Sequence, residues 1–248
     1  MSAAHSVAQP GDVSLIRIEV LLDAGAVAKR AAAVIADVAR VAVAARGRFV
    51  LAVSGGKTPW IMLRALATEA VPWGQLHVVQ IDERVAPAGH ADRNLAHLRE
   101  SLLEHAPLRE QQIYAMPVEA DDLEAAAARY ARTLREIAGT PPVLDLAHLG
   151  LGPDGHTASL VPGDPALTVA DRDVAITEAY QGRRRMTLTY PLLNRSRTIL
   201  WVVTGAEKVP MLKRLRDGDA SIPAGRIRRE PALILADRAA AGDGLPKE

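Results

Sequence analysis

One imidazole and one carboxylate, two residues apart and set among glycines, are the groups in this chain whose chemistry is easiest to state. They are Asp154 and His156, in the run Gly150-Leu151-Gly152-Pro153-Asp154-Gly155-His156-Thr157-Ala158-Ser159. A histidine titrates near neutrality, so it can take a proton from water and later return it to a leaving group, and a carboxylate beside it can orient the ring or balance its charge. The glycines keep regular structure out of the turn and leave main-chain amides open. Taken alone, the run reads equally well as a glycine-rich crossover loop with an exposed histidine.

Gly150, Gly152 and Gly155 also spell the GxGxxG spacing of dinucleotide-binding turns, with Asp171 near the acidic position that follows. That motif needs a helix opening at its third glycine. Pro162, Gly163 and Pro165 leave room for little more than one turn, and Pro153 removes an amide that would face a pyrophosphate. The dinucleotide reading is rejected.

Three other stretches carry groups suited to an anion. Ser54-Gly55-Gly56-Lys57-Thr58-Pro59 joins the apolar run 48–53 to a helical pattern from Trp60. Strand, small polar turn and helix start together aim free amides and a positive helix end at one point, which makes a phosphate cradle. It is not a Walker loop, because the first glycine of that motif would fall at Leu51. Asp82-Glu83-Arg84 follows the apolar run 76–81, at a strand's carboxyl end, where open α/β sheets place their ligands. Arg84 can fork onto a phosphate, and Asp82 can hold a neighbouring arginine or a sugar hydroxyl. Lys208 falls in the first turn of a helix after Thr204-Gly205, where a cation opposes the helix dipole unless an anion sits opposite.

The elements that must position these groups follow from periodicity. Apolar runs at 15–20, 48–53, 76–81, 143–147, 198–203 and 232–236 read as strands, most of them continuous enough to be buried on both faces of a parallel sheet. Amphipathic helices are expected at 24–45, from Trp60, at 95–105 behind Asp92-Arg93-Asn94, at 121–137 and from 208 to about 215. Shorter strands are expected at 113–116, 174–177 and 186–190, the last two flanking Arg183-Arg184-Arg185, with a helical turn at 191–194. The expected architecture is one α/β domain over 13–248, with a central mostly parallel sheet flanked by helices, behind a tail at 1–12.

Composition removes several classes of function. Thirty basic and 29 acidic residues give a net charge of +1, so no long-range field favours nucleic acid or an anionic membrane. The absence of cysteine excludes disulfides and thiolate metal sites and fits a reducing, cytoplasmic setting. The alanine- and valine-rich stretch 24–45 carries Lys29, Arg30, Asp37 and Arg40, too many charges for a membrane span. The N-terminus has neither the basic nor the apolar region of a signal peptide. His90, His97 and His105 lie along one helix without a clustered carboxylate set, so no catalytic metal is expected. No GxSxG elbow is present, which leaves water activated by a base as the expected nucleophile.

Taken together and in order, five segments resemble one family. They are Ser-Gly-Gly-Lys-Thr-Pro at 54–59, Asp-Glu-Arg at 82–84 with Asn94 downstream, the glycine-rich run at 150–163, Arg-Met-Thr-Leu-Thr at 185–189, and Thr-Gly-Ala-Glu-Lys at 204–208. The set is similar to the glucosamine-6-phosphate isomerase/6-phosphogluconolactonase family, on its lactonase side, over roughly residues 15 to 240. The resemblance implies a fold related to glucosamine-6-phosphate deaminase. It also implies hydrolysis of 6-phosphogluconolactone in the oxidative pentose phosphate pathway, without a cofactor or metal. On that resemblance His156 is the general base and Asp154 its support. Ser54, Gly55, Gly56, Thr58, Asp82, Arg84, Asn94, Gly152, Arg185 and Lys208 are the substrate-binding set. Arg93, where the family often has serine, and the turn Pro223-Ala224-Gly225-Arg226 depart from the pattern.

The expected partner is a small sugar phosphate; the oligomeric state stays open, with a monomer compatible. Two other functions use the same pocket. A glucosamine-6-phosphate deaminase would carry an acidic residue just before the Pro-Gly that follows its Asp-Gly-His segment, where this chain has Val161. A non-catalytic sugar-phosphate sensor would need neither Asp154 nor His156.

Overall fold

The computed structural model describes residues 16–242; the expected tail at 1–12 lies outside them. Seven parallel strands form the central sheet, in the order β1, β10, β9, β6, β2, β3, β5. They are β1 (Arg17–Leu21), β2 (Phe49–Val53), β3 (Leu76–Gln80), β5 (Ile113–Tyr114), β6 (Leu146–Leu149), β9 (Thr198–Val203) and β10 (Ala232–Asp237).

The alternation of strand residues separates two apolar layers. Phe49, Leu51 and Val53 face α1 (Ala24–Arg46) and α2 (Lys57–Leu66) on one side, with Leu200, Val202 and Leu235 beside them. Val50 and Ala52 face the other way, toward Tyr130 and Leu134 of α4 (Leu123–Ala138) and Leu212 and Leu215 of α6 (Val209–Asp217). With almost no aromatic side chains available, alanines carry much of this packing: Ala28, Ala31, Ala32, Ala36, Ala39 and Ala42 are all buried along α1. Its ends are set locally, by Asp23 accepting from the Ala26 amide and by Gly47 in a left-handed conformation.

A second sheet lies on the α4 side; two of its strands are the short ones expected at 174–177 and 186–190, and the third is not marked by periodicity. The sheet is antiparallel and consists of β4 (Asp82–Arg84), β8 (Arg185–Leu188) and β7 (Val174–Ile176), in that order. The charged triplet placed at the carboxyl end of the 76–81 strand is thus itself a strand, recruited by β8. The strand expected at 143–147 sits later, because Asp145 is occupied at the sheet's entry: its carboxylate accepts from the Val50 amide at 2.8 Å and pairs with Arg46 at 2.7 Å.

The helix expected at 95–105 is α3 (Asn94–Leu98) followed by a wider π turn over Arg99–Leu103. Asp92-Arg93-Asn94 does not cap it. Glu83, fully buried, accepts from the Asn94 and Leu95 amides at 2.8 and 2.9 Å, and Arg93 pairs with that carboxylate at 3.2 Å. Arg93 is therefore a buried counter-charge for Glu83, and it also pairs with Glu119 at 2.6 Å. A short α5 (Tyr190–Leu193) and a terminal α7 (Arg238–Ala241) complete the elements, and no described helix is long and apolar enough to cross a membrane.

Candidate active site

The carboxyl ends of β2, β3, β6 and β9 open into one cavity of about 440 Å³. Ser54, Gly55, Gly56, Thr58, Asp82, Arg84, Asn94, Gly152, His156, Arg185 and Lys208 all line it, so every expected substrate-binding residue and the expected base converge there. Asp154 does not line the cavity; it stands behind His156. Lys57, Thr204 and Glu207 also line it and were not singled out, although they belong to the 54–59 and 204–208 segments.

After β6 the chain turns at Gly150 and closes a tight loop, with the Gly152 amide donating to the His156 carbonyl at 2.8 Å. Asp154 Oδ1 lies 2.6 Å from His156 Nδ1 and also accepts the His156 amide at 3.1 Å. Burial works to raise the Asp154 pKa, but the His156 amide and imidazole and the Tyr180 hydroxyl outweigh it, and the carboxyl is held below its usual range. An ionised carboxylate only accepts, so the proton of that bond belongs to Nδ1. In a neutral ring Nε2 is then the nitrogen with the lone pair. Gly152 makes room for the pair: a Cβ there would lie 2.1 Å from His156 Nδ1 and 2.7 Å from Asp154 Oδ1.

The turn at Ser54 is fixed from both sides. The Ser54 hydroxyl donates to the His148 carbonyl at 3.0 Å, and the Ser54 amide donates to His148 Nδ1 at 3.3 Å, within the sheet's interior. Gly55 passes so near Asn94 that a Cβ would meet Asn94 Oδ1 at 2.1 Å, and Gly56, at φ 132°, opens α2. Thr58 and Thr204 share a hydroxyl–hydroxyl bond of 2.7 Å that ties this turn to the one after β9. Lys208 ends a 3₁₀ turn, Ala206–Lys208, and is the N-cap residue of α6, so its charge does stand at a helix start; the ammonium lies 3.7 Å from Glu207.

Asp82 is held on the pocket wall by the Ser159 hydroxyl at 2.6 Å and the Asn94 side-chain amide at 3.3 Å. Arg84 and Arg185 are paired residues on the neighbouring strands β4 and β8. Burial pushes the Arg185 pKa down and Arg84 adds to that, against the attraction of Asp82. Buried Nε atoms of Arg84 and Arg185 have no hydrogen-bond partner in the protein, an arrangement suited to an oxygen-rich anionic ligand, and the equally unpartnered Oδ1 of Asn94 can accept from a ligand hydroxyl. No group of three or more His, Asp or Glu side chains placed to hold a metal ion occurs among the described residues.

Tyr180 was not anticipated from the sequence. It sits at the tip of the β7–β8 hairpin and donates its hydroxyl to Asp154 Oδ2 at 3.0 Å. No motif marks it, because the contact spans two loops that only the second sheet brings together.

A parallel sheet with an anion cradle and an acid–base pair at its carboxyl edge is the arrangement of an α/β enzyme for small phosphorylated substrates. The family model described as glucosamine-6-phosphate isomerases/6-phosphogluconolactonase matches residues 22–235, and the chain belongs to that family. The chain is 37% identical over 236 residues to a 6-phosphogluconolactonase of Synechocystis sp., covering 92% of this chain and 98% of the relative. Among solved structures, a 6-phosphogluconolactonase from Thermotoga maritima superposes with a TM-score of 0.79 at 26% identity, over 89% of this chain and 98% of its own. A monomeric glucosamine-6-phosphate deaminase shares the fold, with a TM-score of 0.80 at 19% identity over 91% of this chain and 99% of its own.

Proposed function

We propose that this chain hydrolyses 6-phospho-D-glucono-1,5-lactone to 6-phospho-D-gluconate, in the oxidative pentose phosphate pathway, with His156 as general base. The observation that carries the reading is the 2.6 Å His156–Asp154 bond on the wall of a cavity lined by Arg84, Arg185 and Lys208. The family and the lactonase relatives support it. The domain concerned is 13–248, and the cysteine-free composition supports a cytoplasmic setting.

His156 Nε2 takes a proton from water as the oxygen attacks the lactone carbonyl carbon. The carbonyl's electron pair moves to oxygen. The imidazolium then returns the proton to the ring oxygen as the C–O bond breaks. Base catalysis of this kind contributes about two to four orders of magnitude.

The oxyanion has two candidate stabilisers, the glycine-rich turn's amides and a nearby cation. The amides of Gly152, Gly155 and His156 are all engaged within their own turn, which favours the cation. Arg185 is the choice, because its guanidinium lies over the ring of Tyr180, which packs against His156 with centroids 5.5 Å apart. Lys208, Arg84 and the Ser54–Thr58 turn hold the phosphate, so remote binding fixes the carbonyl before the base.

The deaminase alternative is disfavoured by Val161, a buried valine where an acidic residue would be needed. Loss of 6-phosphogluconolactone under purified protein, compared with its spontaneous hydrolysis, tests the reading. His156→Ala is expected to lower kcat by about two orders of magnitude with product binding retained. Ligand-induced stabilisation without turnover would make the protein a sugar-phosphate sensor. Ammonia release from glucosamine 6-phosphate would make it the deaminase.

A further inference from the structure

The hairpin joining β7 and β8 ends in a two-residue turn. Tyr180 and Arg183 exchange main-chain bonds of 3.0 and 3.3 Å, while Gln181 and Gly182 take φ values of 52° and 78°. Positive φ at both central residues gives the tight primed turn that matches strand twist, and it holds Tyr180 at the last paired position. The tip is anchored from the far side, by Arg183 on Asp92 at 2.9 Å and on His90 Nε2 at 3.1 Å. Tyr180 is thus fixed by backbone and anchors that take no part in the acid–base pair.

Its side chain makes three contacts. The hydroxyl donates to Asp154 Oδ2 at 3.0 Å, the oxygen that His156 does not use. The ring meets the His156 ring edge-on, with centroids 5.5 Å apart and planes at 68°. The guanidinium of Arg185 sits 5.0 Å from the ring centroid. One residue therefore touches the base, the carboxylate that orients the base, and the cation assigned to the oxyanion.

We infer that Tyr180 is a positioning residue for the hydrolysis, acting through Asp154 by its hydroxyl and through Arg185 by its ring face. An aspartate at a turn with one oxygen unbound rotates about its last side-chain bond, whose torsional well is broad. A donor on the second oxygen removes that freedom, and the first oxygen then keeps Nδ1–H in line and Nε2 toward the cavity. The ring contact holds Arg185 by a cation–π interaction, whose geometry a smaller side chain does not reproduce. This inference rests on the lactonase reading above.

Two substitutions separate the two contacts. Tyr180→Phe removes only the hydroxyl: kcat is expected to fall by about three- to tenfold, with the 6-phosphogluconate dissociation constant unchanged. Tyr180→Leu also removes the ring face and is expected to lower kcat further and to weaken 6-phosphogluconate binding. A proton spectrum supplies a readout that needs no turnover. The His156 Nδ1 proton in wild type is expected far downfield and slow to exchange, and broadened in Tyr180→Phe. Wild-type kcat and an unbroadened proton in Tyr180→Phe would overturn the hydroxyl's role, and unchanged product binding in Tyr180→Leu would overturn the ring's. If wild type itself fails to open the lactone, the functional reading falls, while the Nδ1 proton still decides whether Tyr180 holds the pair.

Discussion

Arg84 and Arg185 stand directly opposite one another in the antiparallel pairing of β4 and β8. Like charges facing each other across a ladder destabilise a sheet, and here Arg185 is buried; Asp82 works against the repulsion at Arg185, and Asp92 lies near Arg84. A dianion in the cavity relieves that cost, so binding and stability are linked.

Inorganic phosphate and 6-phosphogluconate are accordingly expected to raise the melting temperature of wild type. Arg84→Ala and Lys208→Ala should each weaken 6-phosphogluconate binding by about 2–3 kcal/mol, the range for a charge-assisted hydrogen bond. Calorimetric titration measures this. Both variants should open unphosphorylated gluconolactone as well as wild type does; equal losses on the two lactones would place these residues at the carbonyl end instead.

Gly152→Ala brings a methyl group to 2.1 Å from His156 Nδ1 without meeting any main chain at that distance. The side chains must move apart, so kcat is expected to fall by about two orders of magnitude, the contribution of the base itself. Circular dichroism should be unchanged. A fully active Gly152→Ala enzyme would show that the Asp154–His156 bond is dispensable.

Glu83 and Arg93 form a buried pair, 0% and 3% exposed. Removing one partner strands a charge in the interior, and Arg93→Met is expected to cost about 3–5 kcal/mol in urea unfolding. The double variant Glu83→Gln/Arg93→Met should recover part of that loss. Additive losses would show that the two side chains act separately.

Burial pushes the His148 pKa down from 6.5 to about 4. The unfolded chain binds this proton near the ordinary value and the folded chain only near the depressed one. Stability from the neutral ring is thus complete above the unfolded pKa and is lost as pH falls through the window between them, about 3 kcal/mol in all. Urea unfolding at about pH 7 and about pH 4.5 should register this in wild type and much less in His148→Gln. Equal acid losses in both would place the sensitivity elsewhere.

The parallel sheet was legible because strands buried on both faces leave continuous apolar runs, as Phe49–Val53 and Thr198–Val203 do. The anion cradle was legible for a related reason: glycines and a helix start must follow such strands closely in sequence. Of the second sheet, the strands at 174–176 and 185–188 were legible, but Asp82–Arg84 was not, since it is charged at every position and is a strand only because Arg185–Leu188 pairs with it. Glu83 as a cap for α3 and Tyr180 as a partner of Asp154 escaped for the same cause, each bridging elements that sequence spacing does not relate. Asp145 misled the strand boundary because its use as an acceptor for Val50 is likewise long-range.

The strand order carries a consequence for how the chain is made. β2 pairs on one side with β3, its successor, but on the other with β6, which begins at Leu146, and β1 has no partner until β10 at Ala232. A ribosome therefore releases β2 with one hydrogen-bonding edge unpaired until β6 has been made. Contacts of such long sequence separation form slowly, and open strand edges recruit other chains in the interval. The first half of this protein is consequently the part whose strand edges wait longest for their partners, and shielding it until β6 arrives is expected to raise the yield of folded protein.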